Sequence, residues 1–221
     1  MDESQRATAR EIAHRHLTNG DFLGWFEDLY ACADGDASVV PWADLAVNPN
    51  LVCWLDGHCV SGDGKRALKV GCGLGDDAEE LTKRGFDTTP FDISETAIAW
   101  CRQRFPNSRV KYLVMDLFQS PEDWQDCFDF VLESYTLQVL PAELRMKAIA
   151  AISKFVTVGG SLLVISRGRE AAETEGKMPW PLRRSELLEF QKCGLTEVSF
   201  EDYIDQEEPP VRRFRAFYTR Q

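Results

Sequence analysis

Lys69-Val70-Gly71-Cys72-Gly73-Leu74-Gly75-Asp76-Asp77 is the stretch on which the reading of this chain turns. Ahead of it, residues 67–72 (ALKVGC) form a short apolar run that stops at glycines, the pattern of a buried parallel strand. Behind it, residues 76–84 carry Ala78 and Leu81 among charges and end at Gly85, a helix with a glycine stop. Gly71, Gly73 and Gly75 therefore occupy a strand-to-helix turn. Open α/β sheets bind ligands in the crevice outside the carboxyl ends of their strands. Glycines at such a turn let a ligand approach the backbone closely.

Outward from this turn, strands and helices alternate. Residues 86–91 read as a second strand, with Pro90 tolerable near a strand end. Ser94 is predicted to cap a helix reaching Phe105, which stops before Pro106. Strands at 110–115 and 128–132 follow, separated by a capped turn at 120–123. Pro141 opens an amphipathic helix with Leu144, Ala148, Ile149, Ile152 and Phe155 at helical spacing. Gly159-Gly160 is predicted to turn the chain into a strand over 161–166, and Ser185 to cap a helix closed by Gly194. Segments 195–203 and 212–220 have only a short connection between them and should pair antiparallel. Before Arg66 the pattern is helical over 6–17 and 21–30, with another helix beginning at 51–55. The expected fold is α/β: a Rossmann-like, doubly wound, seven-stranded, mostly parallel sheet with an antiparallel C-terminal hairpin and an N-terminal helical extension.

Two acids fall on the same sheet edge as the glycine turn. Asp92, in FDIS at 91–94, lies 21 residues after Gly71 at the end of the second strand. A carboxylate there accepts both hydroxyls of a ribose. Asp116, in MDLF at 115–118, ends the third strand; with Leu117 and Phe118 it offers an acceptor to an adenine amino group and apolar faces to its ring. A dinucleotide fingerprint, GxGxxG, places its third glycine where this chain has Asp76. A pyrophosphate over that helix start would face Asp76 and Asp77, whereas a cationic sulfonium with no phosphate would not be repelled. The pattern favours S-adenosylmethionine over a nicotinamide dinucleotide.

Composition narrows the partners. The formal net charge of −11 opposes a phosphate backbone, so no nucleic-acid partner is expected. Arg212, Arg213 and Arg215 are read as a solvated strand edge. The seven cysteines are irregularly spaced and include no CxxC pair, which fits reduced thiols. No metal is expected, because Cys53, His58 and Cys59 match no zinc spacing. No apolar run approaches the ~18 residues of a membrane span, and the charged N-terminus lacks a signal-peptide core. A cytoplasmic location without a membrane partner is expected; both monomer and dimer fit the sequence.

From about Val40 to its end, the chain resembles class I S-adenosylmethionine-dependent methyltransferases. Within them it is similar to the branch holding the thiopurine, thiol and halide methyltransferases and the tellurite-resistance methyltransferase. The residues that carry the resemblance are VPW at 40–42, VGCGLGDD at 70–77, FDISETAI at 91–98, MDLF at 115–118, FDFVLESYTLQVLP at 128–141 and VGGSLLVI at 158–165. It implies an S-adenosylmethionine-binding domain over 66–221 with an N-terminal cover over 1–65, and S-adenosylhomocysteine as product. Gly71, Cys72, Gly73 and Gly75 would line the methionine moiety and ribose, Asp92 and Ile93 the ribose, and Asp116, Leu117 and Phe118 the adenine. Glu133, Ser134 and Tyr135 would border the methyl group, with Trp25, Trp42, Tyr135 and Trp180 around the acceptor. The chain departs from the pattern at Lys69, where many members carry an acid; Asp76, Asp77 or Glu133 would have to compensate it.

The expected reaction is in-line displacement of a methyl group onto a small-molecule nucleophile, driven mainly by orientation and exclusion of water. A soft acceptor such as a thiol, selenide or halide leads, since it needs no strong base. An oxygen or nitrogen acceptor would need one, and Glu133, Tyr135 and His58 are the candidates. Two other classes stand beside this: an NAD(P)-dependent oxidoreductase, and a binding protein that keeps the pocket without catalysis.

Overall fold

A computed structural model describes residues 3–221, with side chains from Arg6 onward. Met1 and Asp2, which the expected cover includes, lie outside the described residues. The N-terminal segment forms α1 (Glu3–Thr18), α2 (Gly24–Ala33) and α3 (Pro49–Gly57). Alternation then begins with β1 (Arg66–Val70), α4 (Asp76–Lys83), β2 (Asp87–Asp92), α5 (Glu95–Arg104) and β3 (Leu113–Val114). It continues through β4 (Phe128–Ser134), α6 (Ala142–Phe155), β5 (Val156–Arg169) and β6 (Leu182–Arg183). The short helices α7 (Arg184–Leu187) and α8 (Glu189–Lys192) lead to β7 (Thr196–Ile204) and β8 (Arg212–Thr219).

The strand order is β3-β2-β1-β4-β5-β8-β7, with β6 pairing β5. β1 to β5 run parallel, and β8 is antiparallel to both β5 and β7. This is the expected doubly wound sheet with its terminal hairpin. Period-two burial makes it work. Leu68, Val70, Val131, Leu162 and Val164 enter one core with Ile149, Ile152 and Phe155 of α6 and with Leu187 and Phe190. Ala67, Phe130, Leu132, Leu163 and Ile165 enter the opposite core with Leu51, Trp54 and Leu55 of α3 and Leu81 of α4. Each Val, Leu, Ile or Phe among them contributes about 1.5–3 kcal/mol through burial. A third cluster places Ile12, Trp25, Leu29, Tyr30 and Val40 against Leu74 and Met178, over the carboxyl ends of the strands.

Several local expectations are corrected. β3 is two residues long, where 110–115 was expected. The cause lies at Pro90. Thr88 and Asp92 direct their carbonyls to Lys111 and Met115 beside β3, so by alternation Pro90 faces β3 too and has no N–H to give. Gly159-Gly160 makes a bulge inside a continuous β5 instead of a turn before it; the register against β4 jumps between Phe128 and Phe130. The helix expected to be capped by Ser185 is capped two residues earlier, at Arg183, and is broken at Leu188 into α7 and α8. Arg212, Arg213 and Arg215 are not a solvated edge. β8 is an interior strand, and Arg213 and Arg215 are 2% and 8% exposed, paired with Asp205, Glu207 and Glu201.

Candidate cofactor and acceptor site

The turn after β1 is shaped by contacts that only glycine permits. Gly71 and Gly75 have φ of +55° and +92°, in the left-handed region. A Cβ on Gly75 would stand 2.6 Å from the Tyr112 hydroxyl. One on Gly71 would meet the Thr136 side chain. Gly75 also serves as the N-cap of α4, whose first turn holds Asp76 and Asp77.

A cavity of about 240 Å3 opens above this turn. Gly71, Cys72 and Gly73 line it from the turn after β1, Asp92 and Ile93 from the end of β2, and Met115, Asp116, Leu117 and Phe118 from the segment after β3. Ser134, Tyr135, Thr136 and Gln138 line it after β4, and Arg167 from β5. Tyr30, Trp42, Met178 and Pro179 close it from above.

Asp92 is 8% exposed, and burial raises its pKa against the backbone hydrogen bonds that lower it. Its Oδ2 accepts from Gly73 N at 2.9 Å and its Oδ1 from Ser94 N at 3.1 Å. Each carboxylate oxygen has two acceptor positions, so one on each is left for a pair of vicinal hydroxyls. Asp116 caps the turn Leu117–Gln119, accepting from Phe118 N at 2.9 Å and Gln119 Nε2 at 2.8 Å. Leu117, Phe118 and Ile93 beside it present apolar faces to the same space. The donor set fits an adenine nucleoside.

Lys69 is 2% exposed and sits under the crevice floor. Its ammonium donates to the carbonyls of Val70, Gly71 and Ser134 at 2.8, 3.0 and 3.4 Å. Of the acids expected to compensate it, Asp76 instead holds Arg104 at 2.7 Å, and Asp77 accepts from Asn48 N and the Ser134 hydroxyl. Glu133 and Asp92 are the carboxylates on which its charge acts. The Arg104–Asp76 pair also neutralises part of the charge that the sequence set against a phosphate. What stands of that reasoning is the carboxylate side chain at the third-glycine position.

Four expected site residues do not line the cavity. Gly75 lies behind it, against Tyr112. Glu133 is fully buried below it; its Oε1 accepts from Thr136 N and Leu137 N at 2.7 and 2.9 Å, while its Oε2 has no partner. Desolvation lifts its pKa to about 7, the value of a useful base. With no opening to the cavity, it organises the turn after β4 instead of touching a ligand. Trp25, 1% exposed, stacks on Phe26 and meets the Trp42 ring edge-on, so it supports Trp42 from behind. Trp180 packs beside Arg145, and its neighbours Met178 and Pro179 face the cavity in its place.

Tyr135 does line the cavity, but burial raises its pKa, its hydroxyl accepts from Asn50, and the Arg213 guanidinium lies 4.7 Å from its ring centre. It is a wall and not a base. His58 is exposed at the end of α3, bonded to the Trp54 carbonyl, and does not reach the cavity. Sequence reasoning missed Gln138, Arg167 and Met178 as individual site residues. Arg167 had a usable signal: it follows the apolar run of β5, on the same sheet edge as 71, 92, 116 and 134. Residues 167–180 begin inside β5, and the loop that follows is fastened by Arg169 to Pro181 O and by Met178 O to Arg10.

The fold and its crevice define a class: this is the Rossmann-like fold of S-adenosylmethionine-dependent methyltransferases. Residues 67–160 match the family model described as a methyltransferase domain. The chain is 31% identical over 164 residues to the ubiquinone biosynthesis O-methyltransferase of Pseudomonas entomophila, covering 73% of this chain and 62% of that protein. It thus spans less than two thirds of the curated relatives it matches. Among solved structures it is similar to the Burkholderia thailandensis 1,6-didemethyltoxoflavin-N1-methyltransferase with bound 1,6-didemethyltoxoflavin and S-adenosylhomocysteine. The TM-score is 0.69 at 16% identity over 89% of this chain and 85% of that one. A TehB-like methyltransferase of Corynebacterium glutamicum superposes with a TM-score of 0.58 at 19% identity, over 76% and 85%. At such identities the likeness is one of fold.

Proposed function

We propose that the protein transfers the methyl group of S-adenosylmethionine to a small-molecule nucleophile. The observation that carries this reading is the convergence of Gly71 and Gly73, Asp92 and Asp116 on one cavity, with Asp92 buried and half-satisfied. When bound, the sulfonium supplies an activated methyl group and a neutral leaving group. Asp92 holds the ribose hydroxyls, and Asp116, Leu117 and Phe118 hold the adenine. Trp42, Tyr135 and Met178 exclude water at the other end. Orientation of this kind supplies up to ~7–11 kcal/mol of a barrier.

For the acceptor atom we favour oxygen in an acidic hydroxyl, supported by the relatives' name as O-methyltransferases. A thiol is the second reading, and the lining groups favour it: none is a histidine, and five of the six lining carboxylates, Asp76, Asp77, Asp92, Asp116 and Glu207, already hold donors, which leaves Asp44. An acceptor that Asp44 does not deprotonate must arrive largely ionised. Both readings are tested by turnover of methyl-labelled S-adenosylmethionine with a panel of phenols, thiols, selenide, halides and amines. Transfer to phenols or thiols supports the reading; transfer to none of the panel overturns it.

A further inference from the structure

The cavity contains a guanidinium that the cofactor reading does not use. Arg167 enters it from β5, two strands beyond the glycine turn of β1 and three beyond Asp92. At about 4.8 Å per strand, that is the end of the crevice away from the adenine and ribose groups.

Arg167 differs from its neighbours in having no anion. Arg213, its partner across the β5–β8 ladder, holds Asp205 and Glu207 and lies over Tyr135. Arg169, two residues on, gives its guanidinium to the carbonyls of Pro181 and Glu173. Arg145 holds Glu175 and Glu186. Among the described residues, nothing pairs with the Arg167 guanidinium, and its Nε is buried without an acceptor. Only its backbone is fixed, through its N–H to Gln138 Oε1 at 2.7 Å. Desolvation and the charges of Arg213 and Arg6 hold its pKa below the usual arginine value, against the opposing influence of Glu207 and Tyr135. A desolvated cation without a counter-ion is unfavourable in the free protein. The planar fork of a guanidinium matches a carboxylate through two parallel hydrogen bonds.

We propose that Arg167 is a specificity-determining residue that binds a carboxylate on the methyl acceptor. This deepens the methyltransferase reading and rests on it. The substrate class is then a small hydroxy- or mercapto-carboxylic acid. Its acid group lies on Arg167, its body lies against Tyr135, Trp42 and Met178, and its nucleophilic atom points back toward the tips of β1 and β4. Such an acceptor is attracted to the sulfonium end of the crevice as well.

The test compares thiosalicylate and 3,4-dihydroxybenzoate with their methyl esters, in the wild type, Arg167→Met and Arg167→Lys. Each acid should exceed its ester by about tenfold or more in kcat/KM. Arg167→Met should erase that preference through KM, and Arg167→Lys should restore part of it. Calorimetry on the wild type saturated with S-adenosylhomocysteine should show the acids binding and the esters failing to bind. S-adenosylhomocysteine affinity and Tm should not fall in Arg167→Met, because no partner is lost. Equal use of acid and ester, a preference that survives Arg167→Met, or no binding of either acid overturns the proposal. A drop of about tenfold in S-adenosylhomocysteine affinity in Arg167→Met also overturns it, since Arg167 would then hold the cofactor's own carboxylate. Failure of the wild type to bind S-adenosylhomocysteine at all is a separate outcome that sinks the methyltransferase reading itself.

Discussion

Asp92 accepts a hydrogen bond from the backbone N–H of Gly73 at 2.9 Å, which ties the tip of β2 to the turn after β1. The proposed ribose acceptor and the glycine turn are therefore one unit. Ser94 extends it: its N–H is held by Asp92, its hydroxyl accepts from Ala97 N at 2.9 Å to cap α5, and that hydroxyl donates to Glu27 of α2 at 2.6 Å. The cover and the cofactor floor meet at this point.

Asp92→Ala removes both proposed ribose contacts and the tie to Gly73. Hydrogen bonds to a charged group contribute about 1.5–3 kcal/mol, so affinity for S-adenosylhomocysteine should fall by roughly tenfold to a hundredfold. Calorimetry measures this, and unchanged affinity removes Asp92 from the site.

Gly75→Ala forces a side chain into a left-handed conformation against the Tyr112 hydroxyl. Such strain costs about 1–3 kcal/mol. In a chain of this size that corresponds to a Tm lower by about 2–12 °C in a calorimetric scan. An unchanged Tm would mean that the turn is not built as described.

Glu133 gives the protein a pH signature. Its carboxyl titrates at about 7 in the folded chain and near 4.5 in the unfolded one. Between those values the folded state holds the extra proton, so this group's contribution to stability declines as pH rises through the window, and the decline is complete above pH 7. Glu133→Gln has no such decline. Its advantage over the wild type in denaturant unfolding should grow by about 2–3 kcal/mol between pH 5 and 8. A pH-independent difference would contradict the burial of an ionisable group there.

Trp42 is the tryptophan that lines the cavity, its indole N–H bonded to the Tyr30 hydroxyl at 2.7 Å. Adding S-adenosylhomocysteine should change the intrinsic fluorescence of the wild type, and Trp42→Phe should remove most of that change. Persistence of the full signal in the variant would place the ligand elsewhere.

The glycine turn, Asp92 and Asp116 were legible because strand tips in a parallel sheet share one edge, and strand ends can be read from apolar runs. Trp25 and Trp180 were not, since an aromatic at helical spacing does not reveal whether its ring faces a ligand or the core behind it. Arg213 and Arg215 were read as edge charges because sequence order puts β8 last, while topology inserts it between β5 and β7. Glu133 looked like a base from its place beside Ser134 and Tyr135. Alternation along β4 takes it to the layer beneath, where two backbone N–H groups hold it.

The most direct measurement is a calorimetric titration of the protein with S-adenosylhomocysteine, repeated with NADH. One equivalent of S-adenosylhomocysteine should bind, with no heat from NADH and weakened binding in Asp92→Ala. Saturable binding of NADH, or no heat from S-adenosylhomocysteine, would contradict the assignment of this crevice.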